Sequence, residues 1–138
     1  MNERLRIKPI LIGWLVSFVG ATIAGIVVAV YSTGGDMMKL QKFGEEMSTT
    51  TQIALSLFGA FFAMAGGYVA VRMAPFDPSR HVKRLALVVV VIGAIGLVIG
   101  MATQGVGMQT VIGGVATAAN YGAVILGGYL GTDDEATA

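Results

Sequence analysis

Cysteine is absent from the 138 residues, which excludes a disulfide framework and any thiolate metal site. Charge is scarce as well: Asp, Glu, Lys and Arg make up 12% of the chain, against the ~25% usual in soluble domains. Nine cations and eight acids leave a formal charge of +1. No surplus of Lys and Arg is therefore available to grip a phosphate backbone, and no nucleic-acid partner is expected. Proline occurs three times and histidine once. What the chain has instead is apolar bulk: 55% hydrophobic residues, a mean hydropathy of +0.77 and twenty glycines. That composition also excludes a disordered chain and leaves an integral membrane protein.

A spanning helix needs about 20 mostly apolar residues, because the hydrocarbon layer is ~30 Å thick and a helix rises ~1.5 Å per residue. Four segments reach that length, at about 10–31, 52–73, 83–103 and 108–130. The third has an uncharged heart at 85–101, and Lys83 and Arg84 snorkel from its edge. Arg72 stands at the very end of the second. Runs such as Leu85-Ala86-Leu87-Val88-Val89-Val90 do not alternate, so membrane-barrel strands are excluded. The apolar stretch of the first span exceeds the ~7–15 residues of a signal-peptide core, so it is read as a retained span.

The punctuation fits helices. Thr49 and Gln52 have the spacing of a capping box before the second span. Pro75 ends that span, since the residue before a proline avoids the helical region. Asp77-Pro78 reads as an N-cap followed by proline in the first helical position.

The cations are unevenly placed. Arg4, Arg6 and Lys8 precede the first span, and Arg72, Arg80, Lys83 and Arg84 flank the second connection. Lys39 and Lys42 alone occupy the first loop, giving seven against two. The positive-inside rule then puts both termini in the cytoplasm of a multi-pass protein of the cell membrane. Arg80, Lys83 and Arg84 are expected to contact anionic headgroups. The acidic tail, residues 132–138, is expected to be disordered. In the first loop Met37, Leu40, Phe43 and Met47 fall on one helical face behind Gly34-Gly35-Asp36, which predicts a short amphipathic helix over 37–47 at the interface.

Lipid tails are as apolar as leucine, so helices in a bilayer hold together by close packing and hydrogen bonds. Small residues four apart let backbones approach. Such ladders occur in every span: Gly13-Ser17-Ala21-Gly25, Gly59-Ala63-Gly67, Gly96-Gly100 and Gly114-Ala118-Gly122, with a second in the last span, Ala119-Ala123-Gly127. In a water-soluble helix each glycine would cost ~1 kcal/mol relative to alanine; here they are read as contact surface. The expected fold is an all-α four-transmembrane-helix bundle. A shift of 61 residues superposes Met47 on Met108, Thr49 on Thr110 and Gly66-Gly67-Tyr68 on Gly127-Gly128-Tyr129. Two pseudo-repeated helical hairpins would explain the match, and coincidence in a glycine-rich alphabet would explain it too.

An ionisable residue at membrane depth is the usual mark of ion coupling, and the spans hold none away from their ends. Small four-span multidrug exporters and rotor-ring proteolipids are similar in size and glycine content, but both depend on a membrane carboxylate that is missing here. The Gly-rich N-terminal and Phe/Thr/Ser-rich third-span motifs of four-span fluoride channels are missing too. Asn120 is the deepest strong polar group. An amide buried without a partner costs roughly 2–7 kcal/mol, so it is expected to bond across helices to a hydroxyl such as Ser17, Thr22 or Ser56, or else to line a polar path. His81 reads as a solvated residue beside the membrane, too isolated for a metal site. No nucleophile-and-base pair or carboxylate pair can be assembled, so no enzyme, cofactor or metal is expected.

The stretch from Gly66 to Pro75, followed by His81 and a glycine-containing apolar span, resembles small four-span bacterial membrane proteins of uncharacterised function. The resemblance implies a prokaryotic cytoplasmic membrane and carries no activity. The functional expectation is a protein that acts by helix packing, as an accessory subunit of a membrane complex or as a homo-oligomer, with lipids and other transmembrane helices as partners. The alternative is a small channel or carrier for a neutral or weakly polar solute, with Asn120, Thr117 and Ser56 near its path.

Overall fold

The computed structural model describes residues 7–45 and 47–133, and there the chain is helical with no strand. The elements are α1 (Ile7–Thr33), α2 (Met37–Lys42), α3 (Thr49–Met73), α4 (Pro78–Gln104) and α5 (Met108–Asp133). All but α2 are long and apolar enough to cross a membrane, which is compatible with a multi-pass membrane protein. Each runs past the apolar stretch that marks it in the sequence. Hydropathy reports what lipid must cover, whereas a helix continues until its hydrogen-bond ladder is capped. Thus α4 starts at Pro78 rather than 83, and α5 continues through Thr132 and Asp133, so no disordered tail begins at 132. The rest of that expected tail, 134–138, lies outside the described residues, as do Arg4 and Arg6.

The caps explain the ends. After α1, Gly34 takes φ 63°, and the N–H groups of Gly34 and Gly35 return to the carbonyls of Tyr31 and Val30. That is a Schellman closure, which needs a left-handed residue at Gly34. The Asp36 carboxylate accepts from the N–H groups of Met38 and Lys39. The α2 helix then stops at Lys42, one and a half turns long, because Gly44 follows; the amphipathic helix expected over 37–47 is cut short. The N-cap of α3 is Ser48, not Thr49: its Oγ accepts from the N–H of Thr51 at 3.1 Å. Gln52 is thereby freed from the expected capping box, and its Nε2 donates instead to the Gln109 carbonyl oxygen on α5 at 3.3 Å. Ala74 is extended, as the residue before Pro75 should be. Asp77 caps α4 from a left-handed conformation, φ 44°, accepting from the N–H of Arg80.

Close contacts at glycine fix the helix directions. Gly13, Ser17 and Gly20 of α1 meet Ala70, Gly66 and Phe62 of α3, so these two run antiparallel. Positions 59, 64 and 68 of α3 meet 120, 127 and 131 of α5, so α3 and α5 run parallel. Gly128, Thr117 and Gly113 of α5 meet Val82, Gly93 and Leu97 of α4 in antiparallel order. The α3 helix therefore lies between α1 and α5, while α4 packs chiefly on α5. A Cβ at Gly13 would lie 2.6 Å from the Gly66 carbonyl oxygen, and Cβ atoms at Gly67 and Gly127 would collide with the carbonyls of Val124 and Met64. Backbone thus rests on backbone, the van der Waals contact that replaces a hydrophobic core in lipid. Leu85 and Val124 are the largest side chains buried completely. Leu11, Leu15, Phe18, Val91, Ile95 and Val98 are each about half exposed and form the outer surface.

Candidate functional site

Burial is confined to one end. The buried residues lie in the first half of α1, the last part of α3, the first part of α4 and the last part of α5. None of residues 21–33, 49–62, 87–104 or 108–123 is buried. Small residues close the first end, where Gly13, Gly67, Ala70, Ala86 and Gly127 admit the neighbouring backbone. At the other end the helices spread.

One consequence is a cleft of about 830 Å³ between α3, α4 and α5. One wall is α4, whose Gly93, Gly96 and Gly100 contribute no side chain. Opposite stand Gly113 and Thr117 of α5, and Gln104, Gln109 and Gln52 surround the mouth with Thr110. Glu45 and Met47 reach the rim from the loop before α3. The Gln52–Gln109 hydrogen bond ties α3 to α5 across that rim. Thr117 donates its hydroxyl hydrogen to the Gly113 carbonyl at 2.9 Å, and its methyl group would lie 2.7 Å from a Cβ at Gly93. There α4 and α5 come together. A second groove, about 570 Å³ and lined by apolar residues including Val27, Leu57 and Phe61, separates the spread parts of α1 and α3.

Asn120 is one turn deeper than Thr117 on α5, and its amide lies over Gly59 of α3, with both terminal atoms just under 4 Å from a Cβ placed there. Its Oδ1 is buried and has no hydrogen-bond partner among the described residues. The expected bond to a hydroxyl does not form. Ser17, Thr22 and Ser56 each donate instead to the carbonyl four residues back in their own helix, at 3.0, 2.7 and 2.9 Å. This local bond is open to any helical Ser or Thr without tertiary help, and glycine opposite Asn120 offers no side-chain donor.

The small-residue ladders divide. Gly13, Ser17, Ala63 and Gly67 stand at helix contacts, and Gly59 faces Asn120. Ala21 is half-buried. Around Gly25, Gly96, Gly100, Gly114 and Gly122 no described atom lies within 4 Å of where a Cβ would be, and Ala118 is exposed. In the last span it is Gly127, Gly128 and Gly131 that meet neighbouring helices.

At the closed end Arg80, Lys83 and Arg84 are exposed. Lys83 borders a pocket of about 170 Å³ with Ser79, Tyr129 and Thr132. Arg72 donates to the Tyr68 hydroxyl and sits 5.4 Å from the centre of its ring. His81 is a correction to the sequence reading. It is 4% exposed rather than solvated. Its Nδ1 lies 3.0 Å from the Asp77 carbonyl oxygen. That oxygen can only accept, so Nδ1 carries the proton, and the buried Nε2 has no partner among the described residues. The signal was available: His81 stands four residues before Leu85, on the stripe that packs inward.

No protein-family model, curated protein or solved structure matches this chain.

Proposed function

We propose that the protein is a non-catalytic membrane protein that acts by helix packing, as an accessory subunit of a membrane complex or as a homo-oligomer. The observation that carries this reading is the division of α5. Gly127, Gly128 and Gly131 are used up inside the chain, whereas Gly114, Ala118 and Gly122 form a second ladder with open space before both glycines. A helix gains nothing internally from that ladder, and close approach of an outside helix is what small residues at this spacing serve. In this reading the spans form one four-helix bundle built from the hairpins α1–α3 and α4–α5. The pseudo-repeat rests on the sequence match of α3 with α5, Gly66-Gly67-Tyr68 on Gly127-Gly128-Tyr129. The cation asymmetry supports a cytoplasmic position for both termini and the closed end, with Arg80, Lys83 and Arg84 among the headgroups.

The absence of cysteine allows a direct test. Ala118→Cys, labelled with a benzophenone maleimide and irradiated in native membranes, should give one adduct of discrete mass. Ile95→Cys on the exposed face of α4 should give none. Equal yields from the two positions, or no adduct from Ala118→Cys, would remove the reading.

A further inference from the structure

We infer that the cleft between α3, α4 and α5 is a vestibule that binds a small uncharged solute rich in hydrogen-bond donors. The inference goes beyond helix packing and is independent of it, because Gly114, Ala118 and Gly122 do not line the cleft.

Size and depth come first. About 830 Å³ lies within the ~300–1,000 Å³ of small-molecule pockets. Thr117 is nine residues into α5, ~14 Å at ~1.5 Å per residue, so the cleft reaches about half-way through a ~30 Å hydrocarbon layer. Beyond it the closed end, with Leu85 and Val124 fully buried, blocks passage. Midplane sites bounded by a sealed half are how membrane carriers hold their solutes.

The lining selects the occupant. A lipid chain is suited by the apolar groove between α1 and α3, whereas this cleft is rimmed by the amides of Gln52, Gln104 and Gln109 and by Glu45. A docking helix would have to cover those amides, at the cost of burying polar groups. Among the described residues Glu45 at the rim is the only ionisable one along the cleft, so an ion at the floor would meet no counter-charge from them. The deepest polar group of the lining is an acceptor: the Thr117 hydroxyl hydrogen is committed to Gly113, leaving its oxygen to accept. A neutral molecule bearing N–H or O–H groups fits that set.

The experiment uses the full chain in proteoliposomes. Gly96→Cys and, separately, Gly100→Cys are exposed to a charged, membrane-impermeant methanethiosulfonate, with urea, glycerol or tetramethylurea at equal osmolarity. Both cysteines should be modified, and urea or glycerol should slow the reaction several-fold. Tetramethylurea, which has no N–H, should not. Combined with Gly100→Cys, Gly96→Leu, a side chain added into open space, should abolish the protection. Three results would overturn the inference. One is modification only by a lipid-soluble reagent, which means a lipid-filled cleft. Another is no modification, with Gly100→Cys cross-linking to a second chain, which means a helix in the cleft. The last is modification that no neutral solute slows. If Gly96→Cys fails to insert, Gly100→Cys decides alone, because that glycine too borders open space.

Discussion

Gly127 of α5 rests directly on the carbonyl of Met64 in α3, so closely that no side chain fits between the two backbones. Five residues away on the same helix, Gly122 faces open space. Two glycines of one span thus have opposite reasons to be there, and substitution separates them.

Gly127→Ala should be destabilising by about 1–3 kcal/mol, the usual cost of forcing an extra methyl into a packed contact. Gly122→Ala should leave the isolated protein unchanged or raise its stability by about 0.5–1 kcal/mol, because alanine restricts the helix less unfavourably than glycine. Thermal unfolding of both variants in mild detergent checks the pair. A similar loss for both would mean that the outward ladder is packed after all.

Asn120→Leu should stabilise the solute-free protein. The native amide leaves a buried acceptor unmatched, a burden of about 1–3 kcal/mol, and leucine of similar shape removes it. Asn120→Asp should do the reverse, since a carboxylate over Gly59 stands thirteen residues along α3 from the cation of that helix, Arg72. A shift in midpoint temperature of opposite sign for the two variants is the expected reading.

Asp77 carries two duties that two substitutions divide. Its carboxylate caps α4, and its backbone is left-handed. Asp77→Gly keeps the backbone unstrained and loses only the cap, which glycine replaces at a cost of a few tenths of a kcal/mol. Asp77→Ala loses the cap and pays for φ 44° as well, about 1 kcal/mol for each. Chemical denaturation should therefore rank wild type, then Asp77→Gly, then Asp77→Ala.

Ser48 and Thr49 give the cleanest comparison of sequence with structure. Ser48→Ala should lower stability by about 1 kcal/mol, because its Oγ accepts from Thr51. Thr49→Ala, one residue inside the helix, should change little. Equal losses would restore the Thr49–Gln52 box.

That small displacement shows what kind of knowledge each level holds. A capping box is a local pattern, and two overlapping patterns compete within a residue of each other. Ser48 takes the cap, and Gln52 is left to bond to α5, 57 positions along the chain. His81 failed for a related reason: its charged neighbours Arg80, Lys83 and Arg84 suggest solvent, but helical periodicity puts it with Leu85 on the inward face. Of the cleft only Thr117 was legible, named with Asn120 and Ser56, which do not line it. Gln52, Gln104, Gln109 and Thr117 are scattered in sequence over three spans, and only the spreading of those spans gathers them.

The sequence by itself determined that the chain makes four long apolar helices, where their stops fall to within a few residues, and that no charge lies at depth. These follow from composition and from interactions within one turn. Tertiary structure alone decided which ladders are filled and which are empty. Spacing says that two backbones can approach, but the approach also needs a facing groove on another helix, and the set of grooves is fixed only when all four helices pack. At one end that packing is complete, and at the other it leaves a polar cleft.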